Sequence, residues 1–179
     1  MKRLCDALEA ALRQLLVVVV TVMVLTVVWQ VLSRLLARLA VFFDLPLLIE
    51  PSRWTEELAG FQLAWLALLG AVYALRRREH PGFDLVYGWM PPTLQRYADL
   101  AGFGLIMVFA LLALSYGGGR LVQMTLQLEQ RTAALGWPMG LVYSVIPLSG
   151  VLMTVFALEG FIESLRHAPV ADPKSGGLT

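Results

Sequence analysis

The sequence predicts an all-α integral membrane protein with four transmembrane helices and both termini in the cytoplasm. Two observations set the class. Of 179 residues, 58% are apolar and 15% charged, with a mean hydropathy of +0.71; soluble domains carry about 45–50% apolar and about 25% charged residues. The charges are also bunched, with none between Arg13 and Arg34, Glu57 and Arg76, Asp99 and Arg120, or Arg131 and Glu159. Each gap holds 18 to 27 residues, and about 20 residues at about 1.5 Å each cross a hydrocarbon core. Helices are required because an open sheet leaves backbone groups unpaired in lipid. One membrane domain over residues 1–168 is expected, with spans near 15–33, 58–75, 100–117 and 137–158, then a flexible cytoplasmic tail over 169–179.

The N-terminus starts with Leu4, Leu8, Leu12 and Leu15 at helical spacing, interleaved with Arg3, Asp6, Glu9 and Arg13. That pattern suits an amphipathic lead-in at the membrane surface. The apolar run that follows is longer than the roughly 7–15 residues of a signal-peptide core and has no Ala-x-Ala site before Arg34, so an uncleaved first span is expected. Cys5, the only cysteine, allows no disulfide within the chain and reads as an incidental thiol.

After the first span, Arg34 and Arg38 sit four apart beside Leu35, Leu39, Phe42 and Phe43. The spacing predicts an interfacial helix or an extension of the first span, ended by Pro46 and Pro51. Ser52 or Thr55 then caps the second helix, with Glu56 and Glu57 in its first turns and Trp54 at headgroup depth. Within that helix Gly60, Ala64, Ala67, Gly70, Ala71 and Ala74 form a small-residue face that lets another helix approach closely. With Arg53, Trp54, Glu56 and Glu57 they are the candidate interface to a partner subunit or to lipid.

Arg76, Arg77 and Arg78 end the second span, and a basic cluster at the end of an apolar run reads as a cytoplasmic, lipid-facing stop rather than a nucleic-acid patch. Residues 83–90 read as a short interfacial element, and Pro91-Pro92-Thr93 as the start of the third helix. Gly117-Gly118-Gly119 lacks the following Lys-Ser/Thr of a phosphate loop and reads as loosening or ending that helix. Leu121, Met124 and Leu128 form an apolar stripe for lying on the membrane or docking on a neighbour. Pro147 predicts a static kink in the fourth span, while Gly136 and Gly140 have the GxxxG spacing of close helix packing but flank Pro138 at a span mouth, where turn geometry explains them at least as well.

Orientation follows from the basic residues. Lys2, Arg3, Arg13, Arg76, Arg77, Arg78, Arg96, Arg166 and Lys174 fall on one side, nine of the fourteen, which makes that side cytoplasmic. An enzyme is not expected: His80 and His167 lie beyond span ends, no Cys/His set has metal spacing, and no nucleophile elbow is present. No catalytic, cofactor-binding or metal-ligating residue is assigned. The spans contain no Asp, Glu, Lys, Arg or His, and no repeated halves, so the chain does not hold a solute site by itself.

The stretch Arg53-Trp54-Thr55-Glu56-Glu57-Leu58-Ala59, then Trp65, Leu69-Gly70-Ala71, Leu75-Arg76-Arg77-Arg78-Glu79-His80, Asp84-Leu85 and Met90-Pro91-Pro92 together resemble the small permease subunit (DctQ-type) of tripartite ATP-independent periplasmic (TRAP) transporters. Ala134-Leu135-Gly136-Trp137-Pro138-Met139, Tyr143, Pro147 and Gly150 continue the likeness. The resemblance implies a non-catalytic subunit of the bacterial or archaeal inner membrane, bracing a large permease subunit. A periplasmic solute-binding protein would deliver an organic anion, a carboxylate for preference, and a sodium gradient would drive symport. Membrane lipids are the other expected partner; no nucleic acid is. The competing readings are a homo-oligomeric channel or exporter, which would need a polar stripe around a pore, and a membrane scaffold or assembly factor.

Overall fold

The computed structural model describes residues 2–43, 52–77 and 92–166. Helix α1 runs over Lys2–Phe42 and α2 over Arg53–Arg77. Helix α3, Pro92–Phe109, continues through a π-helical segment, Ala110–Gly117, into α4, Gly118–Gln127. Helix α5, Met139–Tyr143, precedes α6, Val145–Arg166. Four stretches are long and apolar enough to cross a membrane: Cys5–Phe42, Arg53–Arg77, Tyr97–Gln127 and Met139–Leu165.

Valine is a modest helix former in water, yet α1 is rich in it, because in lipid only a helix satisfies each backbone group within its own segment. The hydroxyls of Thr21 and Thr26 follow the same logic by donating to the carbonyls of Val17 and Val22, four residues back, at 2.8 Å. At 41 residues α1 is about 60 Å long, roughly twice the hydrocarbon thickness. The two alternatives for residues 34–43 therefore resolve into an extension of the first helix. The helix-ending Pro46 and Pro51, the element over 83–90, Arg78, both histidines and the tail lie outside the described residues.

The third span departs from expectation. Gly117-Gly118-Gly119 does not end the helix: Gly117 and Gly118 keep helical dihedrals, φ −62° and −61°, and the more loosely wound π segment passes into α4 at this run. The amphipathic stretch through Met124 thus prolongs the third span, and α4 docks on α5. The fourth span begins at Met139, after Trp137, and is interrupted at Ser144 three residues before Pro147. Proline has no N–H for the carbonyl four residues earlier.

Helix α1 packs against α2, α2 also against α6, and α6 also against α3 and the π segment, which makes α6 the central element. A cluster of buried apolar residues joins Cys5 and Leu12 of α1, Leu69, Val72 and Leu75 of α2, and Val145, Phe156 and Ala157 of α6. Four glycines then set how closely the third and fourth spans approach. A Cβ on Gly140 would lie 2.5 Å from the Leu126 side chain, on Gly118 2.6 Å from Ile146, on Gly150 2.6 Å from the Ser115 backbone nitrogen, and on Gly160 2.6 Å from Phe103. No real Cβ tolerates such distances, so each glycine is a notch that admits the opposing helix.

Candidate functional site

At one end of the bundle α2 starts beside the descending part of α1. The Ser33, Ser52 and Thr55 hydroxyls form a chain at 3.2 and 3.0 Å, and Thr55, fully buried, donates to the Ser52 carbonyl at 2.6 Å. Arg34 pairs with Glu56 across the two helices. Glu57 turns the other way. Its Oε1 accepts from the Ala133 N–H, and its Oε2 from those of Ala134 and Leu135, all at 2.9 Å.

Those three donors belong to the turn between α4 and α5. Glu129 (φ 49°) and Gly136 (φ 66°) occupy the left-handed region there, and Thr132 and Trp137 exchange bonds at 2.8 and 2.9 Å. A turn of this shape points successive N–H groups to one side, and a carboxylate is the group that satisfies them together. Glu57 therefore clasps the second span to the entrance of the fourth. The sequence suggested stabilisation by its own helix dipole instead. Gly136 is a turn glycine as expected, whereas Gly140 serves packing.

Opposite charges gather at the other end of the bundle. Arg76 Nη2 meets Asp6 Oδ1 at 2.8 Å, its Nη1 lies 2.8 Å from Glu159 Oε2, and its Nε lies 3.4 Å from Glu9 Oε2. Arg77 pairs with Glu9 at 3.0 Å. The Arg76 guanidinium also sits over the Phe156 ring at 5.8 Å, and that of Arg77 over Tyr73 at 5.5 Å. Expected from sequence to face lipid, Arg76 instead has a side chain only 20% exposed and ties α1, α2 and α6 together. The signal for this lay in Asp6, Glu9 and Glu159, each at the same end of its span as Arg76, but nothing in their spacing joins them.

The small-residue face of α2 looks outward. Gly60, Ala64, Ala67 and Ala71 are exposed, Gly70 and Ala74 half-buried. A Cβ on Gly60 or Gly70 would meet nothing within 4 Å. Arg53 and Trp54 are exposed at the top of the same helix. Between α1, α2 and α5 lies a recess of about 370 Å³. Trp65, on its wall, donates its indole N–H to the Val142 carbonyl at 3.1 Å, next to the interruption of the fourth span. Among the described residues no three His, Cys, Asp or Glu side chains gather as metal ligands.

Known proteins resemble this chain in sequence. The family model for the DctQ component of tripartite ATP-independent periplasmic transporters matches residues 23–167. The chain is 25% identical over 111 residues to a putative TRAP transporter small permease protein of Haemophilus influenzae, covering 62% of this chain and 67% of that one. It is 29% identical over 100 residues to the C4-dicarboxylate TRAP transporter small permease protein DctQ of Rhodobacter capsulatus, with 56% and 44% covered. A third relative, the isethionate TRAP transporter permease protein DctMQ of Oleidesulfovibrio alaskensis, is 28% identical over 123 residues, which are 69% of this chain and 19% of that protein. With most of its length matched, four apolar helices and the Trp-Thr-Glu-Glu segment at the head of the second, the chain belongs to the DctQ family, the small permease component of TRAP transporters.

Proposed function

We propose that this small permease braces the large permease subunit of its transporter, and that the outward small-residue face of α2 is where the large subunit approaches. The observation that carries this reading is the open space at Gly60 and Gly70, against the filled notches of Gly118, Gly140, Gly150 and Gly160. In lipid, helices associate through close packing, so a smooth face left unused inside the chain is available to another one. Trp54, at the head of that helix, fixes its depth, while the Arg34–Glu56 pair and the Glu57 clasp fix its rotation.

The work of uptake is shared with other chains: a periplasmic solute-binding protein delivers an organic anion, and a sodium gradient drives its entry. The names of the relatives support an anion, since one is given for C4-dicarboxylate and another for isethionate. That the matched region is 19% of the Oleidesulfovibrio permease supports a close association with further permease chain. The spans hold no Asp, Glu, Lys, Arg or His between residues 14–33, 58–75, 100–119 and 132–158, which leaves solute and ion binding to the large subunit. By the distribution of Lys and Arg, the Arg76 end faces the cytoplasm, where the neighbouring Arg77, the more exposed of the two, contacts anionic lipid, and the Glu57 end faces the periplasm.

Co-purification tests the interface. Gly70→Leu fills the open face, so the variant is expected to insert normally, lose the large subunit and abolish solute uptake. Wild-type recovery of the large subunit with the variant would move the contact off α2. Topology is tested by cysteine labelling after replacement of Cys5: an impermeant reagent added outside intact cells is expected to label position 131 and spare position 77, and the reverse pattern would invert the orientation.

A further inference from the structure

Three features of the stretch Ala110–Gly117 have no part in the clasp, the ion cluster or the small-residue face of α2. Its hydrogen bonds close five residues back instead of four, so it takes in about one residue more than an α-helix would. The Ser115 hydroxyl, buried within the span, has no hydrogen-bond partner among the described residues. Gly117 stands inside a helix, where glycine weakens the fold, and yet a Cβ there would make only an ordinary contact, 3.5 Å from the Leu112 carbonyl oxygen. We propose that the third span has two registers against the fourth, one residue apart: when the extra residue of the π segment passes beyond Gly119, Gly117 takes the place of Gly118 against Ile146 and Pro147.

The second register accounts for each feature. With residues 110–117 wound as α-helix, the end of the stretch advances by one position, a step of about 1.5 Å and about 100°. Only a glycine fits against Ile146, where a Cβ on Gly118 would stand 2.6 Å from Cγ2; in the second register that position belongs to Gly117. The Ser115 hydroxyl regains a carbonyl four residues back, that of Leu111, just as the hydroxyls of Thr21, Thr26 and Thr154 bond theirs at 2.8 Å. Leu114 then faces Gly150 in place of Ser115, and Gly150 has no side chain to oppose it.

The surroundings permit the step. The fourth span is itself interrupted at Ser144, beside Ile146, so the helix facing the moving stretch is not continuously bonded there. Residues 120–124, which receive the extra residue, have mostly exposed side chains and lose few contacts. Phe103 against Gly160 lies before the stretch and Leu126 against Gly140 after it, so both notches and the Glu57 clasp keep their places. Between them Leu112 and Tyr116, 66% and 65% exposed, turn to new directions. The third span thus changes what it presents at mid-membrane while its ends stay anchored, which lets its outer side follow a moving neighbour without opening the bundle.

Alanine variants of the full chain in phospholipid nanodiscs separate two registers from one. Gly118→Ala closes the present register and Gly117→Ala the second, so each alone is expected to unfold within about 2 °C of the wild-type midpoint. Closing both, in Gly117→Ala/Gly118→Ala, should lower the midpoint by about 5 °C or more through overpacking. Gly118→Ala/Gly119→Ala adds the same two methyl groups but leaves the second register open, and should stay near the wild type. A loss in Gly118→Ala alone as large as in the first pair, or equal midpoints in the two pairs, would overturn the proposal. Nuclear magnetic resonance with labelled glycine, alanine and isoleucine reads the register itself. The Ile146 methyl protons are expected to show their strongest cross-peak to the Gly118 α-protons in the wild type and to those of Gly117 in Gly118→Ala. A stronger cross-peak to the new methyl group in that variant means overpacking in a single register, and overturns the proposal as well.

Discussion

Two spans of this chain carry small residues at close-packing intervals and use them in opposite ways. On the fourth, Gly150 and Gly160 lie against Ser115 and Phe103 so tightly that a methyl group would stand 2.6 Å from its neighbour, while on the second Gly60 and Gly70 border open space. Composition does not separate the two cases. What differs is the place of each helix: α6 is central and touches α2, α3 and the π segment, whereas α2 is flanked by α1 on one side and α6 on another and keeps a third side bare. A glycine within a bundle marks where the fold has committed itself. One on the outer side, as at Gly60 and Gly70, leaves its helix without a neighbour there.

The sharpest way to break this contrast is Gly150→Leu. Overpacking against the Ser115 backbone is expected to cost about 3 kcal/mol or more, seen as loss of monodisperse protein on size-exclusion chromatography. Folding at the wild-type midpoint would mean the notch is not filled. Next comes Arg76→Ala, which leaves the nearly buried Glu159 carboxylate without its cation; breaking such a pair costs about 3 kcal/mol, and Arg76→Lys should recover only part because one ammonium cannot reach three carboxylates. Thermal unfolding followed by fluorescence reads both.

A smaller effect is expected for Glu57→Gln, which keeps size but loses the anion that accepts three N–H groups; charge-assisted bonds contribute about 1.5–3 kcal/mol each when buried, and partial exposure here brings the expected sum to about 2 kcal/mol. Hydrogen exchange at Ala133 to Leu135 should accelerate before exchange elsewhere does. Gly70→Leu is the smallest in stability, within about 0.5 kcal/mol as for open positions, and yet the largest in complex formation. Equal losses from Gly70→Leu and Gly150→Leu in the thermal stability of the isolated chain would erase the distinction between the two helices.

Much of the architecture was legible because lipid simplifies the problem: uncharged runs of about span length must become helices. Helix ends were less legible. Charged residues such as Asp6, Arg38 and Glu163 mark where hydrocarbon stops but not where hydrogen bonding does, so the helices run past the uncharged segments. The Gly117-Gly118-Gly119 run was read through glycine's flexibility, although Gly118 is needed for proximity, facing Ile146 and Pro147. That partner is remote in sequence and no local pattern names it. The same holds for Glu57, whose acceptor role depends on a turn formed by residues 129–138, and for Arg76, whose carboxylates come from two other helices.

The clasp at Glu57 also orders events in time. Its three donors follow it by 76 to 78 residues, so while the chain is being synthesised the carboxylate enters the membrane long before the groups that will hold it exist. Until the third span has crossed and returned its turn to the same surface, Glu57 remains solvated and α2 is held only by its contacts with α1, the Arg34–Glu56 pair and the Ser33–Ser52–Thr55 chain among them. Closing the clasp is thus a check that the later hairpin has arrived in the right place, and only then does α2 present its bare side at a fixed angle.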